Sequence, residues 1–127
     1  MDLRPLDATP TDAERDAVDA LLGPAPDDDS APVSLGASLR QRHLLLPALH
    51  AAQDRVGWVS PGALAYIARR LHVPPAEAYG VASFYALFAL TPRPARVAHV
   101  CDDVACMARG AEGLCDGLAA RLGPAGS

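Results

Sequence analysis

Aromatic residues are scarce in this chain: only 5% of its 127 residues are Phe, Trp or Tyr. The rings are Trp58, Tyr66, Tyr79, Phe84, Tyr85 and Phe88. Hydrophobic residues make up 50%, but alanine is a large share of them and buries little area each. The core must therefore come from Leu, Val, Ile and those few rings, which suits a modest helical core and not a large sheet. No clustered basic stripe is present, and the net charge of −4 argues against nucleic acid as a partner. No apolar run reaches the roughly 18 residues that a spanning helix needs, so direct membrane insertion is not expected. The opening "MDLRPLDATP" lacks a cationic stretch followed by an apolar one, which argues against secretion. Cysteines number only three, and an odd count without a leader points to reduced thiols or a metallocentre in a cytoplasmic protein, not to a disulfide framework. A Gly-rich phosphate loop, a Ser/His/Asp arrangement and a carboxylate pair are also missing, so no substrate-converting site is expected.

What is present is mostly helical. In "TPTDAERDAVDALLG", Thr11 can cap a helix while Glu14 reaches back to it, and Gly23-Pro24 ends the stretch. Val18, Leu21 and Leu22 give that helix a thin apolar stripe. "PAPDDDSAPVSLG" is acidic, Pro-rich and short of anything to bury, so residues 1–35 read as one helix plus a mobile linker. From Leu39 to Val56 the period is again helical, with Leu45, Leu49, Ala52 and Val56 on one face. Pro47 lies inside this stretch, so the helix starts near Leu44 or kinks there. Ser60 and Pro61 are an N-cap and a first helical residue for "ALAYIARRL", which places Leu64, Ile67, Ala68 and Leu71 inward and Arg69-Arg70 outside. Pro75 starts the next helix. "AEAYGVASFYALFAL" is apolar almost all round, which predicts burial on more than one side, the second side by a partner protein. Residues 36–92 thus form a helical domain.

After the breaker "TPRPA" the period changes. "RVAHVC" alternates over a β-branched run and predicts a strand at 96–101, followed by a loop and a helix to about Leu122. The fold class is therefore α+β: a mostly helical N-terminal bundle and then, over 93–127, a single β-loop-α unit that cannot bury both its faces. Cys101 falls at the end of that strand and Cys106 in the loop before the helix, where backbone N–H groups favour thiolate and any bound anionic centre. A C-x₄-C gap lets two thiolates reach one iron of a [2Fe–2S] cluster; the plant-type pattern starts the same way, although its third cysteine is replaced here by Arg109. Cys115 lies inside the last helix, nearly in line with Ala111 and Ala119, and reads as a small buried hydrophobe. His99 shares the strand face of Cys101; it is either a half-exposed strand histidine or a third member of a zinc or redox-thiol site. His43, His50 and His72 read as surface or capping residues.

The pieces "LPALHAAQ", "GWVSP", "YGVASFY" and "VCDDVACMARG" together resemble the E-type family of small NADH:quinone oxidoreductase (respiratory complex I) components. The same family supplies the gamma-type subunit of NAD-dependent formate dehydrogenases and a subunit of NAD-reducing hydrogenases. The resemblance implies a helical domain followed by a thioredoxin-like ferredoxin domain that carries a [2Fe–2S] cluster. Two of its ligands are expected in the first β–α loop, matching Cys101 and Cys106, and two in a later C-x₃-C segment for which this sequence has no match before Ser127. The ferredoxin domain is accordingly expected to be incomplete, with two of four ligands present. The implied role is electron transfer beside a flavin- and NADH-binding subunit, as part of an NAD-linked oxidoreductase. The alternative role is a cluster-free helical docking module for that flavoprotein.

Overall fold

The computed structural model describes residues 8–25 and 41–125 and divides into two units, which meet in sequence at Ala95 and Arg96. The expected linker falls almost wholly outside the described residues.

The first unit is helical. Its α1, Asp12–Leu22, begins with the expected reciprocal cap: Glu14 N donates to Thr11 Oγ1 at 3.3 Å and Thr11 N donates to Glu14 Oε2 at 2.8 Å. Those bonds let Glu14 be 1% exposed, because the buried carboxylate has local donors. Gly23, at φ 86, ends the helix. A single 3₁₀ turn, Arg42–Leu44, leads into α2, Leu45–Val56, so Pro47 falls in the first turn, where its missing N–H costs nothing. Gly57, in the left-handed region at φ 95, closes α2. Helix α3, Pro61–Arg70, starts at Ser60, whose Oγ accepts from Ala63 N at 3.0 Å. Helix α4, Pro75–Phe84, follows after a short turn.

α1 packs mainly on α2, and α3 lies against both α2 and α4. Leu49, Ile67, Leu71, Val18 and Val59 are the largest fully buried apolar side chains, with Ala48, Ala52, Ala63, Ala68, Ala78 and Ala82 between them. So many alanines bring the helices close, which is how a chain poor in rings still closes a core.

Two expectations are corrected here. Arg69 is exposed, but Arg70 turns back onto α1, its side chain only 10% exposed. It pairs with Asp19 and donates to Gly23 O at 2.8 Å, while Tyr66 Oη donates to Asp19 Oδ1 at 2.6 Å. Arg15 and Arg70 each lie 5.7 Å from the Tyr66 ring centroid. Secondly, the helical run expected to continue to Leu90 ends at Phe84, and within this chain α4 buries Ala78 and Ala82. It stops at Phe84 because Phe88 must turn inward to its 7% exposure, and the freed backbone groups find side-chain partners. Gln53 Nε2 donates to Leu87 O at 2.8 Å and Gln53 Oε1 accepts from Ala89 N at 2.7 Å. Arg93 donates to the carbonyls of Ala86, Leu87 and Phe88. Phe84 is left 80% exposed, with Leu87, Tyr85 and Tyr79 also exposed.

The second unit contains α5, Val104–Met107, and α6, Ala111–Leu122, joined through Gly110 at φ 95. The predicted strand at 96–101 is not formed; no strand is present among the described residues. A strand is made by the hydrogen bonds of a neighbour, and no such neighbour is among these residues. None of residues 96–125 is buried, so the unit has no core of its own.

Candidate functional site

The two cysteines of interest lie on either side of a helix start. Asp103 is the N-cap of α5, its carboxylate accepting from Val104 N at 2.7 Å. Met107 N donates to Asp103 O at 2.8 Å and Ala108 N to Val104 O at 3.1 Å, which close the turn. Cys101 precedes this cap in irregular backbone and is exposed; Cys106 sits on α5 itself, half-buried, instead of in a loop. Sequence reasoning did not single out Asp103, although an Asp just before a short apolar run is an ordinary N-cap signal.

The electrostatics differ from expectation. The Cys106 thiol is pushed up from its ordinary value, first by the hydrogen bond to Cys101, then by the charge of Cys101, by burial and by the Asp102 carboxylate. A helix start favours thiolate only where the helix is long enough to carry a dipole. With four residues, α5 has little dipole, and two nearby acidic groups outweigh it. Two acids that share one site cannot both ionise freely, which is also how a thiol pair behaves before a cation separates the charges.

Cys115 lies on α6, half-buried instead of fully buried. His99 is exposed, and among the described residues no group of three or more His, Cys, Asp and Glu gathers as a metal site. The alternative of a zinc or redox-thiol site that includes His99 draws no support from this arrangement. Thiols suit iron chemically, and a [2Fe–2S] cluster takes four such sulfur ligands. His43, His50 and His72 are exposed, and the His50 ring lies 4.7 Å from that of Phe88. Among the described residues no helix is long and apolar enough to cross a membrane.

Residues 34–126 match the family described as thioredoxin-like [2Fe-2S] ferredoxin. The chain is 36% identical over 83 residues to NADH-quinone oxidoreductase subunit 2 of Thermus thermophilus, covering 65% of this chain and 46% of that protein. It is 34% identical over 84 residues to the E-type NADH-quinone oxidoreductase subunit of Rickettsia bellii, covering 65% and 50%. It is 35% identical over 68 residues to NADP-reducing hydrogenase subunit HndA of Solidesulfovibrio fructosivorans, covering 54% and 40%. The chain thus spans about half the length of the curated relatives it matches. By its family match and its relatives alike, the chain belongs to the thioredoxin-like [2Fe–2S] ferredoxin family, which it shares with E-type subunits of NADH-quinone oxidoreductase.

Proposed function

We propose that this chain is the electron-transfer subunit of an NAD-linked oxidoreductase, with Cys101 and Cys106 holding one iron of a [2Fe–2S] cluster. The second cysteine pair comes from a segment outside these residues, and the partner is a cytoplasmic flavin-bearing subunit that oxidises NADH or reduces NAD. The observation that carries this reading is the pair of cysteines on either side of the start of α5 within a matched ferredoxin region. When bound, a [2Fe–2S] cluster supplies one-electron chemistry at a potential set by charge, hydrogen bonds and solvent access. The chain's own residues prepare the place. Asp103 fixes the turn between the two sulfurs, Asp102 adds negative charge beside Cys106, and residues 93–127 form the first part of the ferredoxin domain. The chain itself holds no acid–base machinery in this reading.

The test is anaerobic reconstitution, with iron and sulfide, of a chain extended by a C-x₃-C segment, followed by EPR of the reduced protein. An axial or rhombic signal that Cys101→Ser and Cys106→Ser each abolish or alter is the expected result. A silent extended protein sinks the cofactor assignment. A second reading, a cluster-free docking module, draws support from the apolar ridge of Phe84, Tyr85 and Leu87. Co-purification with a flavoprotein in the absence of iron would favour it.

A further inference from the structure

The first unit carries an apolar ridge that its own core leaves bare. Phe84 is 80% exposed, Leu87 57%, Tyr85 43% and Tyr79 41%, all on α4 or the turn that follows it. The ridge is held from beneath. The Phe84 and Tyr85 rings meet edge to face at 5.1 Å, and Tyr85 meets the buried Phe88 at 6.3 Å. Gln53 and Arg93 bond the backbone of residues 86–89. Rings already fixed in place lose little freedom when covered, which favours their use in an interface.

Charge and area together point to the occupant. In a two-fold pair each residue near the axis meets its own copy, so a charged patch repels itself and a neutral one does not. Glu77 is the only charged residue of α4, and Arg42 engages it; the Arg93 guanidinium is turned to carbonyl oxygens. Because Ala78 and Ala82 face inward, helical spacing turns Gly80 outward, and nothing lies within 4 Å of where its Cβ would stand. A second helix can therefore come close. An aromatic side chain has about 150–250 Å² to bury, so Phe84, Tyr85 and Tyr79 leave about 250–400 Å² bare on each copy. With Leu87 and the small residues between, two copies cover roughly 1,000 Å² in all, the lower edge of a specific interface. We propose that the chain self-associates through this ridge as a weak, reversible, two-fold dimer, with α4 lying against the α4 of a second copy. The dimer does not depend on the cluster function proposed above.

The test is sedimentation equilibrium of the whole chain, with a thiol reductant present to exclude disulfide-linked copies. Loading concentrations run from about 1 μM to about 1 mM, the range of a weak complex. The average mass is expected to rise from 13.2 kDa and to level off at twice that value. Phe84→Gln removes the most exposed ring, and Gly80→Gln keeps the second helix at a distance; each raises the dissociation constant about tenfold or more. Both positions are exposed, far-UV circular dichroism checks that the variants are folded, and should one fail to fold the other decides. Leu114→Gln, at a residue 56% exposed on α6, leaves the dimer as it is. A wild-type chain that stays at 13.2 kDa throughout leaves the ridge to a different protein and overturns the dimer. A mass that climbs without levelling off overturns the two-fold closure. A folded Phe84→Gln or Gly80→Gln chain that associates as tightly as the wild type, or a Leu114→Gln chain that no longer associates, moves the contact elsewhere and overturns the assignment to this ridge.

Discussion

Gly62→Ala is a substitution whose sign separates two accounts of the first unit. Gly62 is the second residue of α3, and a Cβ there would stand 2.2 Å from Thr9 O, 2.6 Å from Thr9 C and 2.8 Å from Pro10 N. All three are backbone atoms, so no side chain can rotate out of the way. Reaching an ordinary separation of about 3.5 Å requires the 9–10 segment to retreat by more than about 1 Å. Pro10 is buried and Thr11 caps α1, so the retreat loosens the docking of α1. Overpacking costs about 1–3 kcal/mol and a weakened cap about 1 kcal/mol more. Removing glycine from a helix returns about 1 kcal/mol. The net expectation is a loss of about 1–3 kcal/mol, each kcal/mol worth roughly 4–8 °C in thermal midpoint for a unit of this size. Gly80→Ala, in α4 with nothing within 4 Å of its Cβ, is the matched control and should gain up to about 1 kcal/mol. Thermal unfolding followed by far-UV circular dichroism measures both. If the two variants shift upward alike, the 9–10 segment does not lie on α3 and the reasoning fails.

Ile67→Ala, at a position 0% exposed between α3 and its neighbours, should cost about 2–5 kcal/mol in urea unfolding; a loss under about 1 kcal/mol would mean a loosely packed core. Gln53→Ala removes both side-chain bonds to the 87–89 backbone, and the amide of Ala89 should lose most of its hydrogen-exchange protection while α2 keeps its own. Tyr66 has its pKa raised above the ordinary 10.0, by burial first and then by its bond to Asp19, with Arg70 opposing. The folded form therefore holds that proton more tightly than the unfolded one, so the contribution is whole below about pH 10 and is lost as pH rises through the folded pKa. The chain has no lysine to obscure this range, and Tyr66→Phe should flatten the alkaline limb of stability against pH. Cys101→Ala removes the largest causes of the raised Cys106 pKa, so the pH profile of Cys106 alkylation should move to lower pH, and further than with Asp102→Asn.

The helix ends are legible in the sequence because each is decided within four residues. Thr11 with Glu14, Ser60 with Ala63 and the glycine at 57 are bonds or backbone conformations that neighbours in sequence settle among themselves. What sequence misreads depends on residues far away. Arg70 reads as solvated because its partner Asp19 lies 51 positions earlier. The run "AEAYGVASFYALFAL" reads as one helix, but Gln53 and Arg93 satisfy the backbone beyond Phe84, and Phe88 and Ala89 turn inward. An apolar composition does not say where a helix stops; the hydrogen-bond partners of its last carbonyls do.

The same reasoning explains why the cysteine segment is half legible. The motifs around Cys101 and Cys106 suffice to recognise the family, and because their neighbourhood is local, both thiols come to a helix start. Alternation in "RVAHVC" records only the side of a sheet each residue would face; the ladder itself belongs to whatever strand lies alongside. The thiol electrostatics depart from expectation for a related reason. A dipole argument assumes a helix long enough to have one, whereas Cys106 senses Cys101 and Asp102 across a single turn. Negative charge gathered that closely is unfavourable by itself and favourable once a cation arrives. The feature that raises the Cys106 pKa in the metal-free chain is therefore the one that would draw iron to it.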